Sequence, residues 1–130
     1  MKKLTKKKVQ DTFNEAIRKR DGRCTYDLPH NCSASLQCSH FFPIGSNDAL
    51  RFYPPNAWTQ CAAIHMEHHN RNPLVYVRWM EENFASSLEY MESVRKRTVK
   101  YSQPVLKDIY ALCREGKIEA LTAYIENLLN

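Results

Sequence analysis

Between Asp21-Gly22 and about Thr59 the chain loses the helical periodicity that it shows on either side. That interruption constrains the fold more than any other feature. Before it, Val9, Phe13, Ala16 and Ile17 fall on one helical stripe, and Asp21-Gly22 closes the helix. After it, apolar residues recur at helical spacing to the C-terminus. The segments Val75–Phe84, Ser87–Lys100, Val105–Arg114 and Ile118–Leu129 are separated by Asn83–Ser86, by Gln103-Pro104 and by Gly116. The interrupted stretch carries four of the six prolines. It has room for short strands, expected near Leu36–Phe42 and Leu50–Phe52 and joined by the turn-rich Pro43–Asp48. A helix should resume near Thr59 or Gln60. The order is helix, irregular hairpin, then mostly helix, which is an α+β domain with a minimal sheet.

At 130 residues the chain forms one domain. Residues 1–8 read as a basic, flexible arm, 9–22 as a helix, 23–72 as the hairpin-and-helix core and 73–130 as a helical extension. No run of about 18 apolar residues is present to cross a membrane, and the lysine-rich start is no signal peptide. A cytoplasmic location is expected, with the five cysteines reduced. Their odd number argues against a simple disulfide framework and leaves metal ligation or burial. The formal net charge of +5 favours a polyanionic partner. Basic residues cluster at Lys2–Lys8, at Arg18–Arg23 and at Arg95–Lys100.

The chemistry concentrates between Gln37 and Asn72. His40 lies in the first strand, Asn56 follows sixteen residues later, His65 nine after that and His69 four after that. A neutral imidazole such as His40 can take a proton from water near pH 7. Asn56, after two prolines, can hold that ring from a rigid turn. His65 and His69 stand at i and i+4, so on a helix they share a face and can grip one cation. Such a cation neutralises a phosphate and stabilises a leaving oxygen, which places His65 with His40 and Asn56 among the catalytic candidates. Mg²⁺ prefers oxygen ligands, whereas imidazoles suit Zn²⁺, Ni²⁺ or Mn²⁺. The expected activity is metal-dependent hydrolysis of a DNA phosphodiester. Lys6, Lys7, Lys8, Arg51 and Arg71 are the expected phosphate contacts, which position DNA without reading its sequence. A second constellation joins Cys24, Cys32 and Cys61 with His68, which shares a helical face with Cys61 and Ile64 if the helix includes all three. These four could bind a structural Zn²⁺. Buried, unliganded thiols are the competing reading.

The His40, Asn56, His65, His69 pattern resembles the HNH, or His-Me finger, endonucleases. A closer resemblance, over about Phe13 to Glu92, is to the NinG (Rap) recombination proteins of lambdoid phages. It is carried by A-I-R-x-R-D (Ala16–Asp21), Cys24, S-H-F (Ser39–Phe41), L-R-F (Leu50–Phe52), Asn56, Gln60-Cys61 and N-P-L-V-Y (Asn72–Tyr76). It implies a ββα-metal core with flanking N-terminal and C-terminal helices. It also implies a phage-encoded recombination nuclease that cuts branched or nicked DNA in the host cytoplasm. Ser39 stands where many such enzymes carry an Asp or His ligand. The alternative is a catalytically inactive HNH-like module that binds zinc or DNA. The C-terminal helices could also pair two chains as a homodimer, which would suit a two-fold branched substrate.

Overall fold

A computed structural model describes residues 2–130. Helix α1 runs over Lys6–Asp21. It begins three residues earlier than expected, because the Thr5 hydroxyl accepts the Lys8 amide at 3.0 Å and caps the first turn. Lys6, Lys7 and Lys8 are therefore helical and do not belong to an arm. Gly22 ends the helix at φ 68°, a conformation in which a side chain would be strained, and its amide returns to the Arg18 carbonyl. The expected stripe of Val9, Phe13, Ala16 and Ile17 is buried, and Gln10 is buried beside it.

The sheet has two strands, β1 (Leu36–His40) and β2 (Ala57–Cys61). They pair antiparallel, with Leu36 opposite Cys61 and His40 opposite Ala57. The first strand lies where expected. The second does not: Leu50 ends a 3-10 turn, Asp48–Leu50, and Arg51–Phe52 continue as turn. Leu50 and Phe52 are apolar because they plug the core from that turn, not because they alternate across a sheet. A second 3-10 turn, Pro54–Asn56, starts on the two prolines and delivers the chain into β2. The pairing is extended at both ends, by Phe41 N–H to the Asn56 carbonyl (2.8 Å) and Ala62 N–H to the Ser35 carbonyl (2.9 Å).

A two-stranded sheet is marginal by itself. Here the C-terminal end of α1 latches onto β2. Arg20 forks onto the Asp21 carboxylate at 2.7 and 3.0 Å. The same guanidinium donates to the Ala57 carbonyl at 2.7 Å and the Pro54 carbonyl at 3.2 Å. Asp21 in turn accepts the Thr59 amide at 2.9 Å. Arg20 also lies 4.5 Å from the Trp58 ring centre, and Phe84 stacks on that ring at 4.2 Å.

Helix α2 (Ala62–Met66) starts later than expected and continues into a π turn, Glu67–Arg71. Helix α3 (Pro73–Val94) is one element where two were expected. The break foreseen at Asn83–Ser86 survives as a kink at Phe84, whose φ of −141° and ψ of 42° are not helical. The helix stops at Val94, short of the expected Lys100. Helices α4 (Gln103–Arg114) and α5 (Ile118–Leu129) match the sequence reading closely. Helix α4 packs on α1, and Tyr53 ties α5 to the connector through a 2.7 Å bond to Glu126. The chain is thus a mixed α+β protein with five helices and one small sheet among its described residues. No helix is long and apolar enough to cross a membrane among those residues.

Arg20→Ala removes a charged donor from two carbonyls and a carboxylate in a largely buried setting. It should lower the unfolding free energy by about 2–3 kcal/mol in urea titration, with an unchanged m-value. A loss below about 0.5 kcal/mol, the level of an ordinary surface substitution, would show that the latch is dispensable.

Candidate active site and metal centre

Successive side chains of a strand point to opposite faces. At the end of β1 this separates Ser39 from His40. His40 turns toward α1, where its ring stacks on Phe13 with centroids 5.8 Å apart. Its Nε2 lies 3.4 Å from Gln10 Nε2. That amide donates to Asn14 Oδ1 and to the Arg51 carbonyl, both at 3.0 Å, and Gln10 Oε1 accepts Arg51 Nε at 3.0 Å. Gln10 therefore locks the neighbourhood of the imidazole from outside the hairpin, a role its sequence position did not signal. Burial depresses the His40 pKa to about 4, against a backbone bond to Arg51 that raises it. The charges of Arg51, His65 and His69 depress it further. His40 is therefore neutral at pH 7, and no hydrogen bond or ring contact joins it to His65 or His69 among the described residues.

Asn56 is fully buried but does not bond the His40 ring as expected. Its Oδ1 accepts the Phe42 amide at 2.8 Å, and its Nδ2 donates to the Phe42 carbonyl at 3.0 Å and the Leu50 carbonyl at 3.4 Å. It clamps the backbone two residues beyond His40. An asparagine can do this because it mimics a peptide unit, and the turn after Pro54-Pro55 aims it inward.

His65 and His69 come together as expected, with ring centroids 4.9 Å apart. His65 Nδ1 lies 2.8 Å from Gln37 Oε1, an acceptor, so the proton sits on Nδ1 and Nε2 is left for a ligand. His69 Nε2 lies 3.0 Å from the Ser39 hydroxyl, which also meets Tyr76 Oη at 3.2 Å. Burial lowers the pKa of both histidines. No third His, Cys, Asp or Glu converges on this pair among the described residues. Ser39 supplies the nearest hydroxyl.

The four-ligand cluster is elsewhere, and its histidine is not His68. Cys24, His30, Cys32 and Cys61 bring their ligand atoms within 4.8 Å of one another. Cys24 Sγ and His30 Nε2 are 3.7 Å apart. Ligands on a tetrahedral Zn²⁺ at the usual bond lengths are separated by about 3.6–3.8 Å. His30 Nδ1 donates to the Leu28 carbonyl at 2.8 Å, which leaves Nε2 as the ligating atom. Cys24 Sγ also accepts the Cys61 amide at 3.3 Å. Burial raises the Cys61 pKa, but the Ile64 and Ser33 amides, the Ser33 hydroxyl and the Cys32 thiol outweigh it and bring the thiol down to about 6. Cys32 moves the other way, to about 11, chiefly through its bond to Cys61. All five cysteines are free thiols. Three thiols and one oriented imidazole form a group that can hold a metal ion.

His68 was expected there because a helix containing Cys61 would align the two. The helix starts at Ala62, so Cys61 is its cap and leaves that stripe. His68 instead packs between Tyr26 (4.8 Å) and Tyr76 (4.6 Å), with Nδ1 3.0 Å from the Gln60 amide. His30 was legible: Cys24-x5-His30-x-Cys32 places a histidine inside the cysteine loop.

The expected phosphate contacts are partly engaged. Arg51 pairs with Asp48 at 2.8 Å, Lys6 with Asp48 at 3.3 Å and Lys7 with Asp11 at 3.1 Å. Arg71 approaches Glu67 at 3.9 Å. Lys8 makes no ion pair among the described residues, and it is exposed. Comparison with protein-family models, curated proteins and solved structures finds no match for this chain.

Both His40 and His68 are buried with pKa values near 4. An unfolded histidine titrates near 6.5, so the unfolded chain takes up protons first as pH falls. The stability present above pH 6.5 should therefore be lost progressively between pH 6.5 and 4. Chemical denaturation at a series of pH values in chelator should show that slope. His68→Phe should reduce it.

Proposed function

We propose that this protein is a metal-dependent DNA endonuclease of the HNH type, built on a ββα-metal core. One observation carries the reading. The hairpin ends on a neutral, anchored imidazole at His40, while the following helix sets His65 and His69 against Ser39, the adjacent residue of the same strand.

The chemistry follows from these positions. Gln10, itself fixed by the Arg51 carbonyl and guanidinium, abuts His40 Nε2 and holds the ring, whose neutral form can accept a proton from water. The activated water attacks the scissile phosphorus in line and yields 5′-phosphate and 3′-hydroxyl ends. A divalent cation held by His65 and His69 would neutralise the phosphate and stabilise the leaving 3′ oxygen. Gln37 keeps His65 in the tautomer that ligates, and Ser39 orients His69. Two imidazoles suit Zn²⁺, Ni²⁺ or Mn²⁺, while Mg²⁺ would lean on water and phosphate oxygens. Asn56 acts by holding the backbone after His40, a positioning role. We assign the Cys24, His30, Cys32, Cys61 group to a structural Zn²⁺ that ties the 23–35 loop to the start of α2. The resemblance in sequence favours branched or nicked DNA, cut during phage recombination.

The missing third ligand beside His65 and His69 favours a second reading, a DNA- or zinc-binding module without activity. Supercoiled plasmid and a labelled four-way junction, incubated with Mg²⁺, Mn²⁺ or Ni²⁺, separate the two. Cutting should depend on the metal and fall at least about 100-fold in His40→Ala, with DNA affinity within a few-fold of wild type. Cutting at the wild-type rate in that variant would remove His40 from the mechanism, and no cutting with any metal would leave the binding module.

The zinc assignment has its own readout. The purified protein should hold one equivalent of zinc, and Co²⁺ exchanged into it should show thiolate charge-transfer absorption. His30→Ala should lose both signals and His68→Phe should keep them. The reverse pattern would restore His68 as the ligand.

A further inference from the structure

The connector that leaves His40 is clasped by the turn after α3. Arg95 Nη1 donates to Asn47 Oδ1 at 3.1 Å, and its guanidinium lies 5.4 Å from the Phe42 ring centre. Lys96 Nζ donates to the Ser46 carbonyl at 3.0 Å. Between these segments lies an open hollow of about 260 Å³, lined by Gly45, Ser46, Asp48, Arg95, Lys96 and Arg97 among others. Its charge is one-sided. Arg95, Lys96 and Arg97 make no ion pair among the described residues, and Arg97 donates to the Leu129 carbonyl. The one acid in the lining, Asp48, is already engaged by Arg51 at 2.8 Å and Lys6 at 3.3 Å.

The larger cleft between α1 and the α4–α5 turn, about 870 Å³, differs in this respect. Its Lys19 and Lys117 are paired with Glu15 at 3.1 Å and Glu115 at 3.0 Å. Its Arg20 is paired with Asp21, which leaves Arg114 as its one cation without an ion pair among the described residues, beside the acids Glu15, Glu115 and Glu119; the smaller hollow has three such cations and one acid.

The hollow is also close to His40. Phe42 is two residues on, at most about 7 Å of chain, and it carries Arg95 against its ring. Phosphates of one DNA strand recur every 3.4 Å or so along the helix axis. We propose that this hollow is a second phosphate-binding site, which seats the DNA backbone a few nucleotides from the bond placed at His40. Lys96 and Arg97 supply the charge, and Arg95 shapes the loop. The proposal rests on the DNA-binding part of the nuclease reading and assigns cations that part of the chain had left without a role. Lys6 and Arg51, drawn in by Asp48, extend the same positive surface toward α1.

The test is fluorescence anisotropy with a labelled duplex and a four-way junction, in chelator, across a series of KCl concentrations. The proteins are wild type, Lys96→Gln/Arg97→Gln, and Lys19→Gln/Lys117→Gln as a control in the other cleft. All four replaced residues are exposed, and circular dichroism checks the fold. Losing two phosphate contacts should weaken binding about tenfold or more at 0.1 M salt and flatten the log–log salt slope by about 1–2. The control pair should stay within about twofold. Equal affinity and slope in the Lys96/Arg97 variant would overturn the proposal, and so would a wild-type protein that binds no DNA. Because chelator removes the chemistry, the two readings fail separately. Binding through the hollow without cutting in the presence of metal keeps this site and sinks the nuclease. Cutting with an unchanged salt slope does the opposite.

Discussion

The Arg20–Asp21 latch is the interaction on which the rest of the molecule depends. Two strands of five residues each cannot hold their own geometry. Arg20 reaches two carbonyls at the entry of β2, and Asp21 takes the amide of Thr59 one step further on. The helix end thereby supplies donors and an acceptor along β2 that a third strand would otherwise provide. Salt bridges at a surface contribute little, but this one is half-enclosed by Trp58 and satisfied by the backbone. Everything that needs β2 in place, from the pairing of β1 to the position of Cys61, inherits that constraint.

The hairpin is held from its other end by sulfur and imidazole. The 23–35 loop has no regular structure, yet Thr25 bonds the Thr59 carbonyl through both its amide and its hydroxyl, each at 2.8 Å. Cys24, His30 and Cys32 then gather against Cys61. With latch and cluster in place, the histidine-bearing segment has little freedom. Its π turn, closed by Asn72 N–H to the Glu67 carbonyl at 2.7 Å, turns His68 into the aromatic core while leaving His69 beside Ser39.

Much of the architecture was legible because it rests on local signals. The α1 stripe, the stop at Gly22, the first strand and helices α4 and α5 follow from periodicity and from Gly or Pro punctuation. The second strand was misread because Leu50–Phe52 is apolar for a tertiary reason: it fills the core from a turn. The pairing of His65 with His69 was readable from their spacing, whereas the partner of Asn56 was not. An asparagine behind two prolines can as well clamp a backbone as a ring, and only the path of Phe42 decides between them. His68 misled for a similar reason, since α2 begins at Ala62, two or three residues past the expected start, and this removes Cys61 from its face. Gln10 lies in a helix thirty residues from the ring it abuts, and nothing local marks it.

Ser39 and His40 are neighbours in sequence that serve opposite sides of one strand, the first toward Tyr76 and His69, the second toward Phe13 and Gln10. A slip of β1 by a single residue would exchange those sides. It would offer a hydroxyl to the α1 pocket and drive an imidazole among the helix histidines. The Phe41–Asn56 and Ser35–Ala62 bonds at the two ends of the ladder therefore hold more than a sheet. They act as an alignment gauge, and an insertion or deletion in the 41–56 connector is tolerable only where both ends keep their partners.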